Sequence, residues 1–240
     1  MKFIINSQML YEQLLSLSGF EMSATIDTVS HAFQLPDMDI SSVKTPTRLV
    51  DFCEARAEKE HYGTVHFFID DRKFECVWNN PSKYLPLFEQ YDSIIGPDYS
   101  QHVDMSYDAR MYNIYRNKTL TDYMIQQGLN VIYNVSWSLP DTYDYSFSDI
   151  PLYSVIAINC TGIWGHYVSR YLWLQGYREA LARLKPRQII RYGDRMPGEA
   201  EDISVFFPNE RLLRLRQLPK CKKTSRRVML NQINLFEYGC

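Results

Sequence analysis

A chain of 240 residues, 45% hydrophobic and 22% charged, is long enough to bury a core without disulfides or metals. No run of 18 apolar residues occurs, which excludes a membrane-spanning helix, and the first six residues are too short an apolar start for a signal peptide. The net charge of -2 hides an asymmetry: residues 181–240 carry 13 Lys/Arg against 6 Asp/Glu, while residues 1–180 carry 13 against 22. A basic end on an acidic body meets either an anionic partner or the body itself.

The five cysteines, at 53, 76, 160, 221 and 240, form no C-x-x-C pair and lie near no suitably spaced histidines. That argues against a disulfide framework or a zinc site and for reduced thiols in a soluble cytoplasmic protein.

Residues 1–60 read as an N-terminal extension packed on the body, with amphipathic helices expected over 8–17 and 45–59. From Val65 a rhythm sets in. Short apolar runs at 65–70, 93–97, 130–137, 154–160 and 188–192 end in polar residues, with helical stretches at 84–91, 108–128 and 165–185 between them. Met111, Tyr115, Leu120, Tyr123 and Met124 approximate one face of the second stretch, and Gly128 ends it. Tyr167, Tyr171, Leu174, Leu181 and Leu184 do so in the third, with Pro186 as terminator.

Buried strands alternating with helices define an α/β fold of parallel β-α units. The expected architecture is a reduced or distorted (β/α) barrel or an open doubly wound sheet, because eight strands are not found. Phe206, Phe207 and residues 228–233 are candidates for one or two more strands. The domains expected are the extension at 1–60, an α/β core over 61–195 and a basic C-terminal segment over 196–240.

Parallel α/β folds gather function at the carboxyl ends of their strands. Here those ends carry Asp70 and Asp71; Asp98, Tyr99 and Ser100, with Asp104 following; Asn134, Ser136 and Trp137, with Asp144 in the next loop; Asn159 and Thr161; and Tyr192. Turn formation alone favours several of these residue types, so the common end carries more weight than any single residue. Asp98, Asp104 and Asp144 are the candidate catalytic carboxylates. Asp98 and Asp104 are also candidate ligands for a hard cation such as Mg²⁺ that would activate water against a phosphate ester. Without a metal, a close carboxylate pair supplies an acid and a base. Arg110, a further candidate for the cleft, and Arg116 could instead neutralise these carboxylates. His102, between Asp98 and Asp104, is a base, a ligand or a surface-loop residue. Phosphate-loop, dinucleotide, nucleophile-elbow and H-E-x-x-H signatures are absent.

The C-terminal segment places eight cations in residues 211–227, among them Arg211, Lys220, Lys222, Lys223, Arg226 and Arg227. Such a cluster suits nucleic-acid phosphates. Leu212, Leu213, Leu215 and Leu218 interleave with it, which suits packing on the body equally well.

The string His66–Phe67–Phe68–Ile69–Asp70–Asp71, followed by Val77–Trp78–Asn79–Asn80–Pro81, Gly96–Pro97–Asp98–Tyr99–Ser100 and Asp104–Met105, resembles domain-of-unknown-function family 4417. The likeness runs on through Tyr112–Asn113–Ile114–Tyr115–Arg116, Asn134–Val135–Ser136–Trp137 and Ile189–Ile190–Arg191–Tyr192–Gly193, over about residues 61–195. Gly96 stands where that family usually has Ser, Tyr133 where Pro is common, and Ser106 where Pro follows Asp-Met. The resemblance implies an α/β body from a bacteriophage, plasmid or integrated element, acting in the host cytoplasm, and implies no settled activity. Three functions are compatible with these residues. One is an enzyme on a nucleotide or nucleic acid; another is a nucleic-acid-binding accessory. The third is a binder of a host protein or signalling nucleotide without turnover.

Overall fold

The computed structural model describes residues 44–163, 165, 167–209 and 213. The helix expected over 8–17, the strand candidate at 228–233 and the cations of 211–227 lie outside the described residues. The chain divides into two units, Met1–Asn209 and Glu210–Cys240, and every strand described belongs to the first.

Strand β1 (Leu49–Asp51) runs directly into a one-turn helix, α1 (Phe52–Ala55), capped by Asp51, whose carboxylate accepts from the N–H groups of Cys53 and Glu54. The helix expected over 45–59 is therefore corrected to a strand followed by a single turn. Three strand residues are too few to display alternation in the sequence, and Val50, Phe52 and Ala55 are all fully buried. β2 (Thr64–His66) leads to a 3₁₀ turn at Asp71–Lys73 and α2 (Glu75–Asn79). A second 3₁₀ turn, Pro81–Tyr84, precedes α3 (Leu85–Phe88) and β3 (Ser93–Ile95). The long α4 (Tyr107–Gln126) starts at Ser106, whose hydroxyl accepts from Ala109 N–H, and returns to β4 (Val131–Asn134). Then come a 3₁₀ turn at Pro140–Thr142, α5 (Tyr143–Phe147), β5 (Val155–Asn159), α6 (Tyr167–Leu184) and β6 (Gln188–Tyr192). A last 3₁₀ turn, Glu201–Ile203, enters β7 (Ser204–Phe207). The sheet thus extends beyond 61–195 at both ends.

All neighbouring strands pair parallel, in the order β1-β2-β3-β4-β5-β6-β7. A doubly wound sheet requires the strand order to reverse. The unbroken sequential order selects the barrel-like alternative, a curled seven-strand half-barrel. Curling is visible in its contents: His66 and Phe68, from β2 and the residues just after it, meet the ring of Tyr192 on β6 at centroid distances of 4.7 and 5.1 Å, four strands away in the sheet order. At the opposite end, Thr45 ahead of β1 hydrogen-bonds the Gln188 side chain at the start of β6, at 2.7 Å.

Two apolar clusters follow from the alternation of side chains along each strand. Phe68, Ile95, Ile132, Val155, Ala157, Ile190 and Tyr192 fill the concave side, with Leu49, Val205 and Phe207 against them. Val65, Phe67, Ile94, Val131, Tyr133, Ile156, Ile158 and Ile189 face the helices in the larger cluster.

Both long helices bury a face only partly the expected one: Leu120, Met124 and Leu184 are buried and Tyr115, Leu174 and Leu181 pack against the core, while Met111 and Tyr123 are only partly buried and Tyr167 and Tyr171 are exposed. In α4 the buried side includes Arg110, Asn113, Ile114, Asn117, Leu120, Thr121 and Met124, so polar side chains hold positions that hydrophobic periodicity assigns elsewhere. In α6, Tyr167 and Tyr171 are exposed while Trp173, Gly176, Tyr177, Ala180 and Leu184 pack inward at i, i+3 and i+4 spacing. Two glycines make these approaches possible. A Cβ at Gly176 would lie 2.2 Å from the Trp137 ring, and one at Gly96 would lie 2.5 Å from Thr121 Oγ1 of α4. The second contact gives a physical reason for Gly96 where the resembling family usually has Ser.

No described helix is long and apolar enough to cross a membrane.

Candidate functional site at the carboxyl ends of the strands

The loop after β3 is clamped by α4. Asn117 forms a reciprocal pair with the backbone of Tyr99, its Oδ1 accepting from Tyr99 N–H at 2.7 Å and its Nδ2 donating to Tyr99 O at 3.3 Å. Asn113 Nδ2 donates to Ser100 O, and Arg116 bridges Asn113 Oδ1 to Glu75 while its guanidinium lies 3.6 Å from the Tyr99 ring centroid. Ser100 is tied to Asp71 through both its N–H, at 3.1 Å, and its hydroxyl, at 3.0 Å. These bonds satisfy the loop's backbone and leave Asp98 as the side chain turned over the strand ends.

Asp98 receives Asn134 Nδ2 on one oxygen at 2.9 Å and Asn159 Nδ2 on the other at 3.1 Å. Burial pushes the Asp98 carboxyl up and the nearby Asp71 adds to the rise, while hydrogen bonds from Asn134, Asn159 and Ser136 oppose it. No Lys or Arg among the described residues forms an ion pair with Asp98. Asn159 is the Cα partner of Tyr192 in the β5–β6 register, and Tyr192 in turn packs on His66 and Phe68. A continuous rim therefore runs from the β3 loop through β4, β5 and β6 back to β2.

His66 is buried at this rim, and Phe68 N–H donates to its Nδ1 at 3.1 Å, which places the imidazole proton on Nε2. Burial lowers the His66 pKa to about 4, so the ring is neutral at ordinary pH.

The expected site residues sort into two groups. Asp98, Asn134, Ser136 and Tyr192 share the rim, with Ser100 bound to its Asp71 flank. Thr161, exposed, donates its N–H to Asn159 Oδ1 at 2.8 Å, fixing that amide with its nitrogen toward Asp98. Tyr99 is fully buried beneath the loop and packs on Phe74. The others stand apart. Asp70 is bound by Arg72 at 2.8 Å, and those hydrogen bonds hold its pKa down to about 2. Asp104 and His102 are exposed in the loop before α4. Asp144 pairs with Arg183 of α6 at 2.6 Å. Trp137 packs on Trp173, Phe147 and Gly176, on the helix side. Arg110 and Arg116 neutralise Asp141 and Glu75, not the candidate carboxylates. Among the described residues no three His, Cys, Asp or Glu side chains form a group that would hold a metal ion, so Asp98, Asp104 and Asp144 do not make a three-carboxylate cation site.

The site also depends on Asn113, Asn117, Gln101 and His66, which strand-end reading does not reach. A polar pair at i, i+4 on a long helix, matched to a polar loop upstream, is the signal for the first two. For His66 the signal is its parity with Thr64 on the concave side of β2.

Comparison with known proteins adds a family and two phage relatives. Residues 27–209 match the family model described as Domain of unknown function (DUF4417), which extends the resemblance beyond residues 61–195 at both ends. The Gene 1 protein of Mycobacterium phage D29 is 33% identical over 168 residues, covering 68% of this chain and 62% of that protein. The Gene 1 protein of Mycobacterium phage L5 is 32% identical over 167 residues, covering 68% of this chain and 72% of that protein. No solved structure matches.

Proposed function

We propose that this chain, which belongs to the DUF4417 family, binds a nucleotide at the carboxyl ends of its half-barrel strands, with Asp98 as the central recognition group. The observation that carries this reading is Asp98 itself. It is a carboxyl pushed up by burial, without a counter-cation and held by two carboxamides at the end of the fold where parallel β-α proteins place their ligands. Nucleobase edges present donors and acceptors side by side, and carboxylates and carboxamides are among the side chains that pair with them. Asp98, Asn134, Asn159, Ser136 and Gln101 supply both kinds within one network. A carboxyl with a raised pKa also serves as a proton donor or acceptor, so turnover of the bound nucleotide is compatible with the same residues.

Calorimetric titration with a panel of ribonucleoside and deoxyribonucleoside monophosphates and cyclic dinucleotides tests the reading. Saturable binding by at least one compound is expected, with a loss of tenfold or more in Asp98→Ala, the scale of a buried charged hydrogen bond. Equal affinity in that variant, or no binding across the panel, overturns it.

The cations of residues 211–227 favour a second reading, nucleic-acid binding. In that reading affinity falls steeply as salt rises, and a Lys220, Lys222 and Lys223 triple Ala variant flattens the slope. A stable complex with a host protein that ignores salt would replace it.

A further inference from the structure

The outward face of α6 takes no part in the Asp98 rim. Trp173, Gly176, Tyr177, Ala180 and Leu184 point inward, so Tyr167, Val168, Tyr171 and Arg178 fall on the opposite side of the helix, and all four are exposed. Tyr167 is 76% exposed, Val168 62% and Tyr171 53%. One exposed apolar side chain is ordinary, but two tyrosine rings with a valine beside them make a contiguous patch, and such patches mark contact surfaces. Tyr167 and Tyr171 are four residues apart on one face, roughly 6 Å along the helix axis. Gln175 Nε2 donates to Tyr171 Oη at 2.6 Å, which holds that side chain along the helix surface.

Charge narrows what this patch receives. Glu179 is the one acidic residue of α6, and Arg183 binds it at 2.7 Å, so the helix brings no uncompensated negative charge to the patch. Arg178 extends the same stripe two turns beyond Tyr171, and exposed Lys185 follows the last helical residue. At the other end of the helix, the first unit finishes at Asn209, whose Nδ2 donates to Thr161 Oγ1 at 3.4 Å in the loop leading into α6. The sequence then supplies eight cations in residues 211–227. Exposed rings with cations along the same stripe, and a basic segment joined to the chain at the ring-bearing end, suit an anionic ligand that also has flat aromatic faces. A duplex offers its phosphates but keeps its base faces stacked inside; a single strand offers both.

We infer that the outward face of α6 is a stacking platform for single-stranded nucleic acid, with successive bases on Tyr167 and Tyr171 and a phosphate further along the strand at Arg178. The inference rests on the nucleic-acid reading of the basic segment and adds to it a strand form and a surface. It does not depend on Asp98.

Fluorescence anisotropy of a labelled oligothymidylate, titrated with the full chain at several salt concentrations, is the test. Tighter binding of the single strand than of a duplex of the same length is expected. Tyr167→Ala and Tyr171→Ala each weaken it about tenfold, within the range of one base–aromatic stack. Both side chains are exposed, so neither change removes a core contact. Tyr167→Phe keeps the ring and retains the affinity. The tyrosine variants leave the salt slope unchanged because no phosphate contact is lost, whereas Arg178→Ala flattens it by about 0.7. Unchanged affinity in the Tyr167→Ala, Tyr171→Ala double variant overturns the platform, and so does a loss in Tyr167→Phe as large as in Tyr167→Ala. Preference for the duplex overturns it too. In these three cases the nucleic-acid reading survives on its basic segment. Absence of binding to single strand and duplex alike removes that reading and the platform together.

Discussion

Two buried charges on opposite sides of the sheet have been treated in opposite ways. Arg191 of β6, on the helix side, is 0% exposed and fully provided for. Glu199 receives its Nε at 2.9 Å and one terminal nitrogen at 2.7 Å, while the carbonyls of Ile158, Tyr192 and Asp194 accept its other protons. The Trp173 ring lies 4.9 Å from its guanidinium carbon. Asp98, over the concave side, has amide donors and no counter-charge. A structural charge inside a protein is neutralised and saturated, because anything less costs several kcal/mol. A working charge is left short of one partner, and that deficit is what a ligand or a proton fills. The contrast separates a strut from a site within one small domain.

Stability measurements break or sharpen that contrast most directly. Glu199→Ala leaves the Arg191 guanidinium buried and unpaired, and should cost about 3–5 kcal/mol in denaturant unfolding. Asp98→Asn keeps the shape and removes the uncompensated charge but sets its amide nitrogen against one of the two fixed amide donors, and should cost about 1–3 kcal/mol, less than Glu199→Ala. It should also flatten part of the pH profile. Because the Asp98 pKa is raised on folding, its stabilising contribution is present below the unfolded carboxylate value and is lost as pH rises through the folded one. Comparable losses in the two variants would show that Asp98 is a strut as well.

His66 gives the next largest effect, with the opposite slope. Its pKa falls from 6.5 unfolded to about 4 folded, so between those values the unfolded chain binds a proton that the folded chain refuses. Stability therefore rises with pH over that window, by up to about 3 kcal/mol, and is level above it. His66→Gln, whose amide oxygen accepts from Phe68 N–H, should remove that slope in unfolding measured from pH 4 to 7. An unchanged slope would place the acid sensitivity elsewhere.

The parts of the fold legible in sequence are those where one physical requirement acts alone. The strands from β2 to β6 are buried on both faces, so they read as apolar runs, and Asp98, Asn134, Ser136 and Tyr192 stand out as the polar residues that end them. The edge strands are harder. β1 has three residues, and β7, half-buried throughout, lies beyond the last strong helical signal. α4 misleads because two requirements compete for its buried face. Ile114, Leu120 and Met124 build the core, while Asn113 and Asn117 hold the Tyr99–Ser100 backbone and so aim Asp98. Hydrophobic periodicity records only the first requirement. It moved the expected face toward Met111, Tyr115 and Tyr123, which are only partly buried. A polar side chain that serves another loop leaves no trace in the periodicity of its own helix, and the Asp98 network is built largely from such side chains.

The smallest expected effect comes from a carboxylate that strand-end reading groups with Asp98. Asp144 lies at an exposed position on α5, and its partner Arg183 is shared with Glu179, four residues earlier on α6, at 2.7 Å. An exposed pair of this kind gains little Coulomb energy in water and is screened by salt, so it contributes about 0–1 kcal/mol. Glu179 remains to hold Arg183 when Asp144 is removed, which lowers the loss further. Asp144→Ala should therefore shift stability by no more than about 0.5 kcal/mol, and this small shift should vanish in molar salt. Nucleotide affinity in the same variant decides whether Asp144 belongs with the rim. Unchanged affinity beside the tenfold loss in Asp98→Ala leaves Asp98 as the carboxyl that recognises the ligand. A comparable loss would require the α5–α6 surface to reach the ligand, and would make the Arg183 pair part of the site.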